Sequence, residues 1–231
     1  GAAAVVTITE PTAISTSITT DAIDCFGNST GTATVVTAGG ISPYSYLWNN
    51  SSDSISITGL GAGTYSVTVT DSAGCMDSSG VTISDPPVLA VSISGSSDAN
   101  CTGDSSGTAT ATATGGTLNY TYSWNDPLAQ TTATADSLPS GTYMVVVTDG
   151  GGCMDSVSAT IADPAVLAAS ITDSSDVNCN GDSTGYAAVT PGGGTGPYAY
   201  LWDDVNAQTD SLADGLPAGN YNVTVTDTNN C

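Results

Sequence analysis

The chain has 231 residues, 22 of them acidic and none of them Lys, Arg or His, for a formal net charge of −22. That balance excludes nucleic-acid binding, which rests on Lys and Arg neutralising phosphates, and argues against docking on anionic membrane surfaces. No apolar run approaches the ~18 residues of a membrane-spanning helix, and trypsin-type proteases find no cleavage site.

Length alone would suit one large domain or two, but the sequence repeats three times. Trp48, Trp124 and Trp202 recur at intervals of 76 and 78, and Cys75, Cys153 and Cys231 at 78 and 78. A period of this size means a tandem array. Each unit is near the size where a hydrophobic core alone is marginal, so staples are expected. Six cysteines supply two per unit.

Residues 1–11 (GAAAVVTITEP) read as the end of a unit rather than a beginning, because they match GVTISDP (Gly80–Pro86) and SATIADP (Ser158–Pro164). Cys75 to Pro86 and Cys153 to Pro164 each span 11 residues, and Cys231 followed directly by Gly1 would reproduce that spacing. No signal peptide is expected, since Gly1 already lies inside a repeat. Two arrangements fit. Either the chain is a window on a longer covalent polymer, or the N-terminal strand of one copy completes the last domain of its neighbour by strand addition. Both are head-to-tail, non-closing assemblies, which means a filament.

After each Glu/Asp-Pro comes a first strand, such as Thr12–Ile18 or Val166–Ile171, then a polar loop with the first Cys. A second strand ends in Gly-Gly, a turn signal. The third strand is Tyr-x-Tyr-x-Trp, and a variable fourth segment runs to Leu60, Leu138 or Leu216. The fifth (TYSVTVTD, TYMVVVTD, NYNVTVTD) alternates Tyr65, Val67 and Val69 inward with Ser66, Thr68 and Thr70 outward, the period of a half-buried strand. The closing strand places Ile8, Ile83 and Ile161 at equivalent inward positions.

Short β-branched strands with turns between them and no helical period predict an all-β chain of three tandem Ig-like β-sandwich repeats forming a rod. The expected division is 1–11 as the closing strand of a preceding repeat, 12–86 and 87–164 as two repeats, and 165–231 as a third lacking its last strand. Trp48, Trp124 and Trp202 are expected to anchor cores, with a sugar-stacking platform as the alternative. Gly-x-Tyr before each fifth strand resembles the corner Tyr of such sandwiches.

The string Cys-x-Gly…Ser-Thr/Ser-Gly, then Gly-Gly-x-x-Pro-Tyr-x-Tyr-x-Trp, then Leu-x-Ala-Gly-x-Tyr-x-Val-x-Val-Thr-Asp-x-x-x-Cys, resembles the SprB repeat of very large surface adhesins of gliding bacteria and their relatives. All three units carry it. The middle one departs at Leu118-Asn119, where the others have Ser42-Pro43 and Gly196-Pro197. The Tyr-x-Trp string is also similar to the polycystic-kidney-disease-type domain, an Ig-like relative. The resemblance implies secretion to the cell surface and names no ligand. Paired cysteines in a Ser/Thr-rich chain independently point to an oxidising, extracellular compartment.

If one reversed strand separates the third from the fifth, both cysteine loops of a unit lie at one end of the sandwich. The expected disulfides are then Cys25–Cys75, Cys101–Cys153 and Cys179–Cys231, with Cys75–Cys101 and Cys153–Cys179 as the rival set. Asp98, Asp104, Asp173, Asp176 and Asp182 in the first-Cys loops could hold calcium. So could Asp71, Asp77, Asp85, Asp149, Asp155 and Asp163 near the second Cys and the junctions. None of these stretches has the ligand spacing of a known calcium loop, and solvated turn aspartates are the alternative. Asn28, Asn49, Asn50, Asn100, Asn119 and Asn222 stand in Asn-x-Ser/Thr sequons as glycosylation candidates.

No catalytic residues are assigned, since His and Lys are absent and threefold repetition favours structure over a unique site. No cofactor is required; calcium and covalent glycans are the possible additions. The expected function is a structural segment of an extracellular filament or adhesin stalk, glycan-coated, with copies of itself end to end as partner. The alternative is a carbohydrate- or surface-binding module acting through the variable segments Asn49–Ile55, Asp126–Thr132 and Asp203–Thr209.

Overall fold

The computed structural model describes residues 1–231. It is all β. The first repeat contains β1 (Ser15–Asp21), β2 (Gly31–Ala38), β3 (Ser45–Trp48), β4 (Ser56–Leu60), β5 (Gly63–Thr70) and β6 (Met76–Ile83). They form two sheets, ordered β1-β2-β4 and β3-β5-β6. The second repeat repeats the pattern with β7 (Ala90–Ser97), β8 (Gly107–Thr114), β9 (Thr121–Trp124), β10 (Thr134–Leu138), β11 (Gly141–Thr148) and β12 (Met154–Ile161). The third has β13 (Ala168–Ser175), β14 (Gly185–Gly192), β15 (Ala199–Trp202), β16 (Leu212–Leu216) and β17 (Val223–Thr226). Two packed antiparallel sheets per repeat make each an Ig-like sandwich.

The chain falls into two compact units. One is Gly1–Ala90 with Ala113–Thr121 and Val147–Asp155; the other is Val91–Thr112 with Tyr122–Val146 and Ser156–Cys231. The division runs through the second repeat. Its Gly-Gly turn and its second-Cys loop belong with the first sandwich.

Alternation builds the first core. Val67 and Val69 point inward from β5 and are fully buried, as are Ala33 and Val35 from β2. Trp48 is 1% exposed and packs among Ile23, Ile57, Leu60 and Ile83. Its indole N–H donates to the carbonyl of Ser54 at 2.8 Å, so the ring enters the core without an orphaned donor. Trp124 and Trp202 are equally buried and donate to Thr132 and Asp210 carbonyls. All three are core anchors, and none offers a face for sugar stacking.

Tyr65 Oη donates to the carbonyl of Gly61, four residues back; Tyr143 and Tyr221 do the same to Pro139 and Pro217. The expected corner tyrosines are therefore present. A second set, Tyr44, Tyr120 and Tyr198, closes each Gly-Gly turn by donating to Gly39, Gly115 and Gly193. Gly39 has φ +69°, and a Cβ there would lie 2.0 Å from the carbonyl oxygen of Ala13, so only glycine fits. Ser42–Pro43 and Gly196–Pro197 are cis, while Asn119 takes a positive φ of 80° at the divergent position of the middle repeat.

Strand direction corrects one expectation. β2 begins at Gly31, beside Leu60 at the end of β4, and ends at the Gly-Gly turn from which β3 starts. β3 and β4 therefore run the same way. Residues 49–55 carry the chain from one sheet to the other partway along a single pass, rather than reversing it. β5 consequently runs back, from Gly63 to Thr70 beside Ser45. The Cys25 loop lies at the Leu60 end of the sandwich and the Cys75 loop at the opposite, Gly-Gly end.

Candidate assembly interface at the repeat ends

The second-Cys loop is built on one carboxylate. Asp71 is buried; its Oδ1 accepts from the backbone N–H of Ala73 and Cys75, and its Oδ2 from Ile41 in the Gly-Gly turn. Asp149 repeats this with Gly151, Cys153 and Thr117, and Asp227 with Asn229, Cys231 and Thr195. The N–H of Ile41, Thr117 or Thr195 contributes most to holding each carboxyl below its ordinary value, against the opposing effect of burial. In the second and third repeats a second cage orders the variable loop. Asp204 accepts from the backbone N–H of Gln208 and Asn206 and from the Gln208 amide. Asp126 does the same with Gln130 and Leu128; burial raises its pKa, but the Gln130 side-chain and backbone donors outweigh it. The sequence offered a signal for this cage in Asp-x-x-x-Gln, which reading by repeats passed over.

The first-Cys loop is a tight turn in every copy. Asn28 N–H reaches the Cys25 carbonyl, and Asp104 and Asp182 reach those of Cys101 and Cys179. The residue before each Cys donates its N–H to a hydroxyl six positions on, as Asp24 to Thr30, Asn100 to Ser106 and Asn178 to Thr184.

The disulfides join loops of consecutive repeats. Cys25 bonds Cys153 and Cys101 bonds Cys231, with Cα–Cα distances of 5.6 and 5.7 Å. Neither the expected pairing within each repeat nor the rival set is present, and Cys75 and Cys179 are unbonded and exposed. The cause is the parity change at residues 49–55. With the two cysteine loops of a unit at opposite ends, the first Cys can meet only the second Cys of the repeat that follows. Cys153 Sγ lies 3.3 Å from the Asp24 carbonyl oxygen, and Cys231 Sγ lies 3.3 Å from that of Asn100.

The aspartates put forward for calcium do not converge: no group of three or more Asp, Glu, Cys or His side chains is placed to hold a metal. Asp71 and Asp149 are occupied by backbone donors. Asp85 and Asp163 at the junctions accept from Gly27 and Gly103, and Asp98 accepts from Ala162. Asp173 accepts from the Tyr186 hydroxyl. The sequon asparagines are all exposed. The side-chain amides of Asn28, Asn49 and Asn222 are engaged with Asp24, the Thr64 carbonyl and Asp203.

The third sandwich differs from the first in its second sheet. β17 pairs only with β15, where β5 pairs with both β3 and β6. Its core reduces to Val189, Trp202, Ala213 and Leu216, with Val223 and Val225 half-buried. A groove of about 510 Å³ opens there, lined by Ile171, Val177, Gly185, Trp202, Leu216 and Tyr221. In the first two repeats the corresponding space is filled. A Cβ on Gly31 or Gly107 would lie 3.4 or 2.5 Å from the Cγ2 of Ile83 or Ile161, and Gly185 has no such neighbour. Residues 1–8, the match to β6, form no strand. Val6 and Ile8 are 82% and 91% exposed, so the inward position expected for Ile8 is not realised within this chain.

A family model of the SprB repeat matches residues 16–53, 93–129 and 171–207. The chain has no match among curated proteins. Among solved structures it is similar to the three N-terminal domains of the bacteriophage RB49 Highly Immunogenic Outer Capsid protein, with 18% identity, 82% of this chain and 75% of that one covered, and a TM-score of 0.48. A tetra-tandem repeat from the extending region of a large adhesion protein aligns over 94% of this chain and 66% of its own, at 13% identity and a TM-score of 0.25. Dpr2 Ig1-Ig2, in complex with DIP-Theta Ig1-Ig3, aligns at 11% identity, covering 86% and 81%, with a TM-score of 0.30.

Proposed function

Because this chain carries three tandem SprB repeats, we propose that it is a structural segment of an extracellular adhesin stalk or filament. Its copies join head to tail, residues 1–8 of each copy filling the groove in the third repeat of the copy before it. The observation that carries this reading is the pair of complementary surfaces. Gly185 and Tyr221 line a groove whose counterpart in the first repeat holds Ile83, and Ile8 stands bare on a segment with the same pattern.

The register follows from β5 and β6, where Gly63 faces Ile83 and Tyr65 faces Val81. In the joint Ile8 faces Gly219, Val6 faces Tyr221 and Ala4 faces Val223. Backbone hydrogen bonds along the added strand give affinity, and the alternate apolar side chains give register. Exposed Asn50, Asn100 and Asn119 are positions for covalent glycan on such a stalk. A net charge of −22 per chain keeps neighbouring stalks apart laterally while leaving the ends free to join.

The test is assembly of the purified 231-residue chain, followed by light scattering and negative-stain imaging. End-to-end oligomers that lengthen with concentration are expected. Ile8→Asp and excess free peptide GAAAVVTITEP should each shorten them. Monomers at every concentration, or oligomers indifferent to both treatments, would overturn the reading.

A further inference from the structure

We infer that the head-to-tail joint is covalently locked by a disulfide between Cys179 of one copy and Cys75 of the next. The inference rests on the head-to-tail reading above and adds a bond to it. Both disulfides in the chain follow one rule: the first Cys of a repeat bonds the second Cys of the repeat that follows. Among residues 1–231 the rule pairs neither the first Cys of the third repeat nor the second Cys of the first. Those are Cys179 and Cys75, the two unbonded cysteines.

Each sits in a loop already shaped as its bonded counterparts are. Cys75 N–H donates to Asp71 Oδ1 at 2.8 Å, as Cys153 and Cys231 donate to Asp149 and Asp227 at 2.9 and 3.0 Å. Asp71 N–H reaches the Cys75 carbonyl at 2.9 Å, matching 3.0 Å for Asp149 and Cys153. The Cys179 loop keeps the turn of the Cys101 loop: Asp182 to Cys179 and Asp104 to Cys101 are both 3.1 Å. No rearrangement of either loop is needed before the sulfurs meet.

The surroundings are also prepared. A cleft of about 600 Å³ beside Cys75 is lined by Glu10, Pro11, Ile14, Asp71 and Met76. Its occupant is the Cys179 loop of the adjoining copy, which would lie there as the Cys25 loop lies against Cys153. At both existing junctions the carboxylate before the proline accepts from a glycine in the first-Cys loop, Asp85 from Gly27 and Asp163 from Gly103. The equivalent pair at the joint is Glu10 of one copy and Gly181 of the other. Strand, carboxylate and cysteine thus address the same neighbour in one register.

The chemistry balances by thiol–disulfide exchange with a low-molecular-weight disulfide such as oxidised glutathione. The Cys179 thiolate attacks it and releases one small thiol. The Cys75 thiolate then attacks Cys179 Sγ and releases the second. Two protein thiols and one small disulfide become one protein disulfide and two small thiols, which carry away both protons.

The full chain is assembled in a glutathione redox buffer and run on denaturing gels without reductant. A ladder of covalent oligomers that collapses with reductant is expected, and non-tryptic digestion should yield a Cys75–Cys179 linked peptide. A one-to-one mixture of Cys75→Ser and Cys179→Ser chains should stop at covalent dimers. The double variant should assemble natively yet run as monomer in denaturant. Homotypic Cys75–Cys75 or Cys179–Cys179 peptides would overturn the inference. So would native oligomers whose two thiols stay titratable, an outcome that leaves the strand-addition reading standing. Absence of any oligomer, covalent or not, would remove both.

Discussion

Cys153 is bonded to Cys25, 128 residues earlier, and passes over Cys101 in its own repeat to do so. The second-Cys loop of the second repeat therefore belongs to the same compact unit as the whole first sandwich. A bond of this kind staples two repeats together rather than closing one of them. Tension along such an array would reach the disulfides as well as the cores.

Reduction should therefore destabilise the chain strongly. In the chain-entropy model, closing a loop of more than 100 residues contributes roughly 5 kcal/mol. The two bonded loops overlap, so the second adds less than the first. Cys153→Ser should lower the urea midpoint of the chain, and adding reductant to wild type should lower it further.

Trp48→Ala should cost about 3–5 kcal/mol in the first repeat, since it removes a fully buried ring and leaves the Ser54 carbonyl without its donor. Trp48→Phe should cost less. Circular dichroism, which follows every repeat through thermal unfolding, set against fluorescence of Trp124 and Trp202, which follows only the second and third, isolates the first-repeat transition.

Tyr143→Phe removes one hydrogen bond, to Pro139, and keeps the ring of a nearly buried side chain. The expected loss is about 0.5–1.5 kcal/mol. Tyr143→Ala should lose several times more, and the ratio, read from denaturant midpoints, measures how far the corner acts through packing.

Acid should loosen the second-Cys loops. Asp71, Asp149 and Asp227 have folded pKa values below the ordinary 3.8, so their contribution is fully present above that pH and is lost as pH falls through the lower folded values. Hydrogen exchange at Cys153 N–H should accelerate, relative to core amides, below about pH 4. Asp149→Asn should remove most of that pH dependence while lowering stability at neutral pH.

Much of this protein follows from its sequence alone. The spacing of Trp48, Trp124 and Trp202 gives three repeats, and two-residue alternation in Tyr65–Val67–Val69 gives strands and their buried face, because a strand can present only every second side chain to a core. Gly-x-Tyr marks the corner. The absence of Lys, Arg and His sets the charge. Pairing of the cysteines was decided by tertiary structure. It turns on whether residues 49–55 reverse the chain or carry it across to the other sheet in the same direction, and the local pattern of Asn49–Ile55 is compatible with both. Only the registers of β2 with β4 and of β3 with β5 distinguish them. The burial of Asp71, Asp149 and Asp227 has the same origin: the Gly-Gly turn that donates to them is 30 or more residues away in sequence and is brought to them by the fold.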